Sequence, residues 1–170
     1  CVKTSWSYGK KNKLIMTQLV KFVRSKLSDP LVAGPEYQTV EASGADIRAN
    51  FPIELRDVGV NLLSGRPVLV PTGLSVHVPQ GFEIQVRPRS GLALNYAISI
   101  INSPGTIDSD YRGEVGIIMI NLGQNPFHIC HGDRIAQLVV APVARATFEL
   151  VDTLESSGRS SRGFGSTGIK

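Results

Sequence analysis

The segment LSVHVPQGFEIQVR, residues 74–87, decides the class of fold. Leu74, Val76 and Val78 alternate with Ser75, His77 and Pro79, and beyond Gln80 and Gly81 the residues Phe82, Ile84 and Val86 alternate with Glu83, Gln85 and Arg87. A period of two places one apolar row on one face of each strand, so the pattern predicts a hairpin with a single buried face. Outward from it, further strands are expected at 97–101, 114–122, 127–130 and 134–141, each bounded by Gly, Pro, Asn or Asp. Short strands at that spacing predict a sandwich or barrel. A helical turn is expected only at 90–94, with Ser90 as its N-cap. The segment TQLVKFVRSKL, residues 17–27, fits either a helix (Leu19, Val23, Leu27) or a strand (Val20, Phe22, Arg24) by its period.

Composition agrees with many short elements. The 170 residues suit one compact domain, and 17 Gly with 10 Pro exceed the usual share of about 12% of a chain. Hydrophobic residues at 42% argue against wholesale disorder, and no apolar run approaches the ~20 residues of a membrane-spanning helix. The net charge of +4 is local: residues 1–26 hold seven of the eighteen Lys and Arg and no acid, leaving eleven basic against fourteen acidic residues, a net −3, elsewhere. Bulk charge therefore predicts neither a nucleic-acid partner nor a membrane surface. Cys1 and Cys130 stand far apart without metal-ligand spacing, which fits a reducing, cytoplasmic setting.

Three regions follow. Residues 1–15 read as a basic tail, disordered or not native to the folded protein; residues 16–154 form the β domain; residues 155–170 form a mobile Gly/Ser-rich C-terminal arm.

Five polar clusters exceed what a β scaffold requires. In SGADIRA, residues 43–49, Asp46 fits either a turn-stabilising side chain or a carboxylate touching a hydrated cation through water. In RPRSG, residues 87–91, Arg89 and Ser90 enter a helical turn, where a guanidinium, a hydroxyl and backbone N–H groups together suit a phosphate. GTIDSDYRGEV, residues 105–115, is expected to form a hairpin carrying Asp108, Asp110, Tyr111, Arg112 and Glu114 close to one small site. A carboxylate so placed can orient and deprotonate water, and an aromatic can lie against a sugar or base. In GDRIAQL, residues 132–138, Gln137 interrupts a buried strand and needs a hydrogen-bond partner, while Asp133 and Arg134 are expected to pair locally. RSSRGFGSTG, residues 159–168, combines arginines, hydroxyls, glycines and Phe164, a mixture that suits phosphates and a stacked base as well as a flexible tail. His77, His128 and His131 lack a triad or metal spacing and are expected to be structural.

In this order the five segments resemble the motifs of the homotrimeric dUTPase family, over roughly residues 17–170. The resemblance implies an all-β fold: a distorted jelly roll, or β-clip-like barrel, of many short strands with one short helix, assembled as a trimer. It implies hydrolysis of dUTP to dUMP and pyrophosphate with Mg²⁺, limiting uracil incorporation into DNA and supplying dUMP for dTMP synthesis. Asp108 would activate the water. Arg89, Ser90, Gly91 and Gln137 would grip the phosphate chain, together with Arg159, Ser166 and Thr167 from the arm. Asn102, Gly105, Thr106 and Ile107 would read uracil in a hairpin running from 102 to 111. Tyr111 would pack on deoxyribose, Phe164 would stack over the base, and Asp46 would meet the metal through water. Partners would be dUTP and two further copies of the chain, each site drawing on all three, and the analogy makes 17–24 a strand.

Two departures stand out. Arg159 is followed by Ser160, Ser161 and Arg162 where the family alternates glycines, and Ser43 replaces a usual alanine. Rival readings on the same scaffold are a dCTP deaminase and a non-catalytic deoxynucleotide-binding module.

Overall fold

A computed structural model describes residues 17–158, 160 and 161. The element order is β1 (Lys21–Arg24), β2 (Ala45–Arg48), α1 (Ile53–Arg56), β3 (Val60–Leu62), β4 (Val68–His77), β5 (Phe82–Arg87), α2 (Ser90–Tyr96), β6 (Ile98–Ile100), β7 (Gly105–Ile107), β8 (Glu114–Asn121), β9 (Phe127–Ile129) and β10 (Arg134–Pro142). Strands dominate, as a jelly-roll-like domain requires. The basic tail at 1–15 lies outside the described residues.

Two four-stranded antiparallel sheets share one core. Their orders are β1-β4-β8-β6 and β2-β10-β5-β7, and β3 with β9 forms a small third ribbon. The alternation in β8 is complete: Val115, Ile117, Met119 and Asn121 are buried, and the residues between them are not. Leu74, Val76 and Val78 from one sheet meet Ile84, Val86, Ile47 and Leu138 from the other, with Phe51 and Leu62 wholly enclosed beside them.

Here the expected hairpin over residues 74–87 is corrected. β4 pairs with β1 and β8, whereas β5 pairs with β10 and β7. The chain crosses between sheets at Pro79–Gly81, and the two apolar rows face one another through the core instead of lying side by side. Alternation reports which face is buried, not which strand is the neighbour. The same correction applies at 102–115. β6 lies in the first sheet, β7 in the second and β8 in the first again, so the segment around Asp108 is a bridge between sheets and not a ladder-paired hairpin.

Smaller differences have local causes. β1 resolves the ambiguous early segment as a strand because Phe22 and Val23 find register against Val76 and Ser75, and tertiary pairing outweighs helical period. There are two short helices among the described residues, not one: α1 adds a single turn after Pro52, a residue suited to a helix start. In α2 the N-cap is Arg89, with no side-chain cap, and Ser90 is the first helical residue, not the cap. No helix among the described residues is long and apolar enough to cross a membrane.

A register shift between Pro71 and Ser75 breaks the β4–β8 ladder at Gly73, whose φ is +66°. Glu114 answers it by accepting the Gly73 N–H at 2.9 Å, and the Thr72 hydroxyl donates to the Val115 carbonyl at 2.6 Å. This takes Glu114 out of the acid cluster expected around Asp108 and gives it a structural task. Asn121, fully enclosed, donates to the Leu62 and Asn125 carbonyls and accepts from Gly123 N–H. His131 accepts the Phe51 N–H at Nδ1 (3.0 Å) and places Nε2 3.3 Å from Asp29 Oδ2, a structural role as expected.

Candidate active site

The second sheet carries polar residues across β2, β10 and the end of β5, and others beside β7. At the β2 edge, Asp46 stands opposite Gln137 of β10, and Gln137 stands opposite Arg87 of β5. Asp46 is only 3% exposed although it faces away from the core, because side chains close over it. Its Oδ1 accepts from Gln137 Nε2 at 3.2 Å and lies 3.4 Å from Arg89 Nε; its Oδ2 accepts from Arg134 Nη1 at 3.0 Å. A carboxylate taken out of water needs such partners to remain charged.

Arg89 reaches this cluster because β5 ends at Arg87 and Pro88 turns the chain into α2. Its Nη1 also donates to the Arg134 carbonyl at 3.1 Å. Ser90 and Gly91 follow in the exposed first turn of α2, where N–H groups lack helical partners. Beside the cluster, Arg48, Arg89, Arg134, Leu92 and Phe127 line a cavity of about 270 Å³. A larger concavity of about 910 Å³, lined by Tyr37, Gln38, Val40, Phe82 and Pro142 among others, carries no charged side chain and suits an anion poorly.

Arg134 is the residue that sequence reasoning misplaced. It was expected to pair with Asp133, but Asp133 accepts the Cys130 N–H at 2.8 Å and Arg134 goes to Asp46 and to Gln38 Oε1. On a regular strand, residues three apart point to opposite faces. A register shift between Arg134 and Ala136 breaks that parity, so Arg134 and Gln137 reach the same carboxylate. The signal that could have found it is the bulge, which no simple pattern announces.

At the opposite edge, β7 pairs with β5 through Gly105, Thr106 and Ile107. Gly105 is packed beneath Asn102: a Cβ there would lie 3.1 Å from Asn102 Nδ2 and 3.3 Å from Val86 Cβ. Asp108 follows directly. It is exposed, and its side chain makes no hydrogen bond or ion pair among the described residues, while its carbonyl accepts the Tyr111 N–H at 3.2 Å. Tyr111 donates its hydroxyl to the Glu114 carbonyl at 3.0 Å and lies over Gly113, where a Cβ would stand 2.6 Å from Tyr111 Cζ. Arg112 Nη1 binds the Ser109 and Tyr111 carbonyls at 2.8 and 2.7 Å, closing the loop on itself.

The chain thus brings Asp46, Arg89 and Gln137 together, with Ser90 and Gly91 following Arg89, while among the described residues Asn102, Asp108 and Tyr111 make no hydrogen bond or ion pair with them. The first group spans β2, β10 and the turn after β5, whereas Asp108, one residue past Ile107, lies level with Glu83 on the β5–β7 ladder, four residues or about 13 Å along the strand from Arg87. Arg159, Phe164, Ser166 and Thr167 lie outside the described residues.

The acids present do not build a protein-only metal site. Among the described residues no group of three His, Cys, Asp or Glu side chains could hold an ion. Each carboxylate oxygen offers about two acceptor positions, so Asp46 has one left after its three donors. That residue fits Mg²⁺ arriving with a polyphosphate and met through water.

These features define a class: a small two-sheet β domain with an arginine–aspartate–glutamine cluster across β2, β10 and the end of β5, and beyond β7 a loop carboxylate without a side-chain partner among the described residues. The family model for dUTPase matches residues 32–168, and the chain belongs to the dUTPase family. It is 60% identical over 141 residues to the deoxyuridine 5'-triphosphate nucleotidohydrolase of Roseobacter denitrificans, covering 83% of this chain and 90% of the relative. The enzyme of the same name from Dinoroseobacter shibae is 50% identical over 153 residues, 90% of this chain and 99% of the relative. Among solved structures, the dUTPase of Staphylococcus bacteriophage 80alpha with dUpNHpp shares the fold, with a TM-score of 0.74 at 24% identity over 90% of this chain and 100% of that one.

Proposed function

We propose that the chain hydrolyses dUTP to dUMP and pyrophosphate, the activity its relatives' names carry. The observation that carries the reading is Asp108: an exposed carboxylate without a partner among the described residues, at the exit of the strand whose glycine packs under Asn102. Asp108 takes a proton from a water whose oxygen attacks the α-phosphorus. The bond from that phosphorus to the bridging oxygen breaks, and pyrophosphate leaves with the electron pair. Most of the acceleration in such transfers comes from placement and charge neutralisation. Arg89, Ser90, Gly91 and Gln137 supply both on the phosphate chain, with Arg159, Ser166 and Thr167 of the arm.

Asn102, Gly105, Thr106 and Ile107 form the uracil reader, Tyr111 packs on the deoxyribose, and Phe164 stacks over the base. Asp46 would hold Mg²⁺ through water, and the ion bound with the triphosphate would supply charge neutralisation. A phage dUTPase of the same fold is described as coordinating a structural Mg(II) ion. Separation of Asp108 from the Arg87 end of β5 by about 13 Å along the β5–β7 ladder supports a homotrimer in which a site unites surfaces of different copies. A setting in the cytoplasm completes the proposal.

The test is pyrophosphate release from dUTP, set against UTP, dTTP and dCTP, with ammonia followed in the last case. Release from dUTP, lost in Asp108→Asn while dUpNHpp still binds, is the expected result. Ammonia from dCTP, or binding of dUTP without turnover by the unaltered protein, refutes the reading.

A further inference from the structure

We propose that Arg134 is a positioning residue that sets the charge and aim of Arg89 toward the phosphate chain, an inference that rests on the function proposed above. Arg134 holds Arg89 from two sides. Its carbonyl accepts Arg89 Nη1 at 3.1 Å, and its guanidinium takes Asp46 Oδ2 at 3.0 Å, closer than the 3.4 Å between Asp46 Oδ1 and Arg89 Nε.

The consequence follows from charge. With one arginine, buried Asp46 would form a one-to-one pair that cancels the guanidinium's positive charge. With two arginines on one carboxylate, a net positive charge remains, and an oligophosphate is the ligand it suits. Arg89 spends Nε on Asp46 and Nη1 on the Arg134 carbonyl, and its Nη2 makes no hydrogen bond among the described residues. That nitrogen keeps two donors for a phosphate oxygen while the other contacts fix the plane of the fork. The β-bulge between Arg134 and Ala136 makes this arrangement attainable, since without it Arg134 would turn away from Gln137 and Asp46.

The experiment is a double-mutant cycle between Arg134→Met and Arg89→Met, read as dUpNHpp affinity by calorimetry, with thermal unfolding of each variant alongside. Arg134→Met is expected to weaken dUpNHpp binding by at least about tenfold, the scale of a lost charge-assisted contact. In the Arg89→Met background the same change is expected to cost less than about twofold, because there is no fork left to aim. Arg134→Lys, which restores charge but not the fork, is expected to recover only part of the loss. Should Arg134→Met fail to fold, Arg134→Gln takes its place in the cycle. Additive losses, or wild-type affinity in the folded single variant, overturn the inference while leaving the hydrolase reading intact. Failure of the unaltered protein to bind dUpNHpp overturns both.

Discussion

Gly44 and Gln137 meet across the β2–β10 pair so closely that a Cβ on residue 44 would lie 3.1 Å from Gln137 Cβ and 3.3 Å from its Cδ. Gln137 Cβ is tied to the backbone of a central strand and cannot swing aside. Gly44→Ala is therefore expected to push the Gln137 amide away from Asp46. Steady-state kinetics on dUTP should show KM raised several-fold, with the melting temperature falling by a few degrees or less. An unchanged KM would mean that the Gln137 amide is not held in place by this contact.

Asn102 and Gly105 have a similar relation at the other edge. Adding a methyl in Gly105→Ala displaces the Asn102 amide and crowds Val86. If this segment reads the base, discrimination between dUTP and dCTP, measured as a ratio of kcat/KM, should fall by about tenfold or more. A uniform loss on both substrates would instead indicate a general packing defect.

The cluster at Asp29 predicts behaviour in acid. The Leu31 N–H, then the Arg56 guanidinium and His131, hold the Asp29 carboxyl below its usual range, against an opposing effect of desolvation. A carboxylate lowered in the folded state contributes stability at pH values above its unfolded value, near pH 4, and loses it as pH falls through the folded value. The denaturation midpoint should therefore drop below about pH 4 more steeply in the wild type than in Asp29→Asn. Parallel curves would show that the cluster does not contribute.

Ile117, fully buried at the centre of β8, gives a stability reference. Ile117→Ala removes three carbons from a filled core and is expected to cost about 2–5 kcal/mol in urea unfolding. The m-value should stay unchanged.

What the sequence made legible followed from local pattern. Period-two alternation located β4, β5, β8 and β10, and the polar clusters drew attention to Asp46, Arg89 and Gln137, which the fold does bring into contact. Partner choice was not legible, because β4 and β5 display the same alternation whether they hydrogen-bond to one another or face across a core. Nor was the bulge after Arg134, since a change of parity alters where a side chain points without altering composition. Glu114 was drawn into the acid cluster around Asp108 by its neighbours in sequence, yet its carboxylate answers a distortion at Gly73, 41 positions away.

The order β2-β10-β5-β7 carries a genetic corollary. If each site borrows its Arg89 cluster and its Asp108 loop from different copies, an allele defective at Arg89 and another defective at Asp108 are each inactive alone yet mutually corrective. Mixed assemblies would contain sites in which both lesions fall outside the shared crevice, so two dead proteins, denatured and refolded together, would recover part of the wild-type rate.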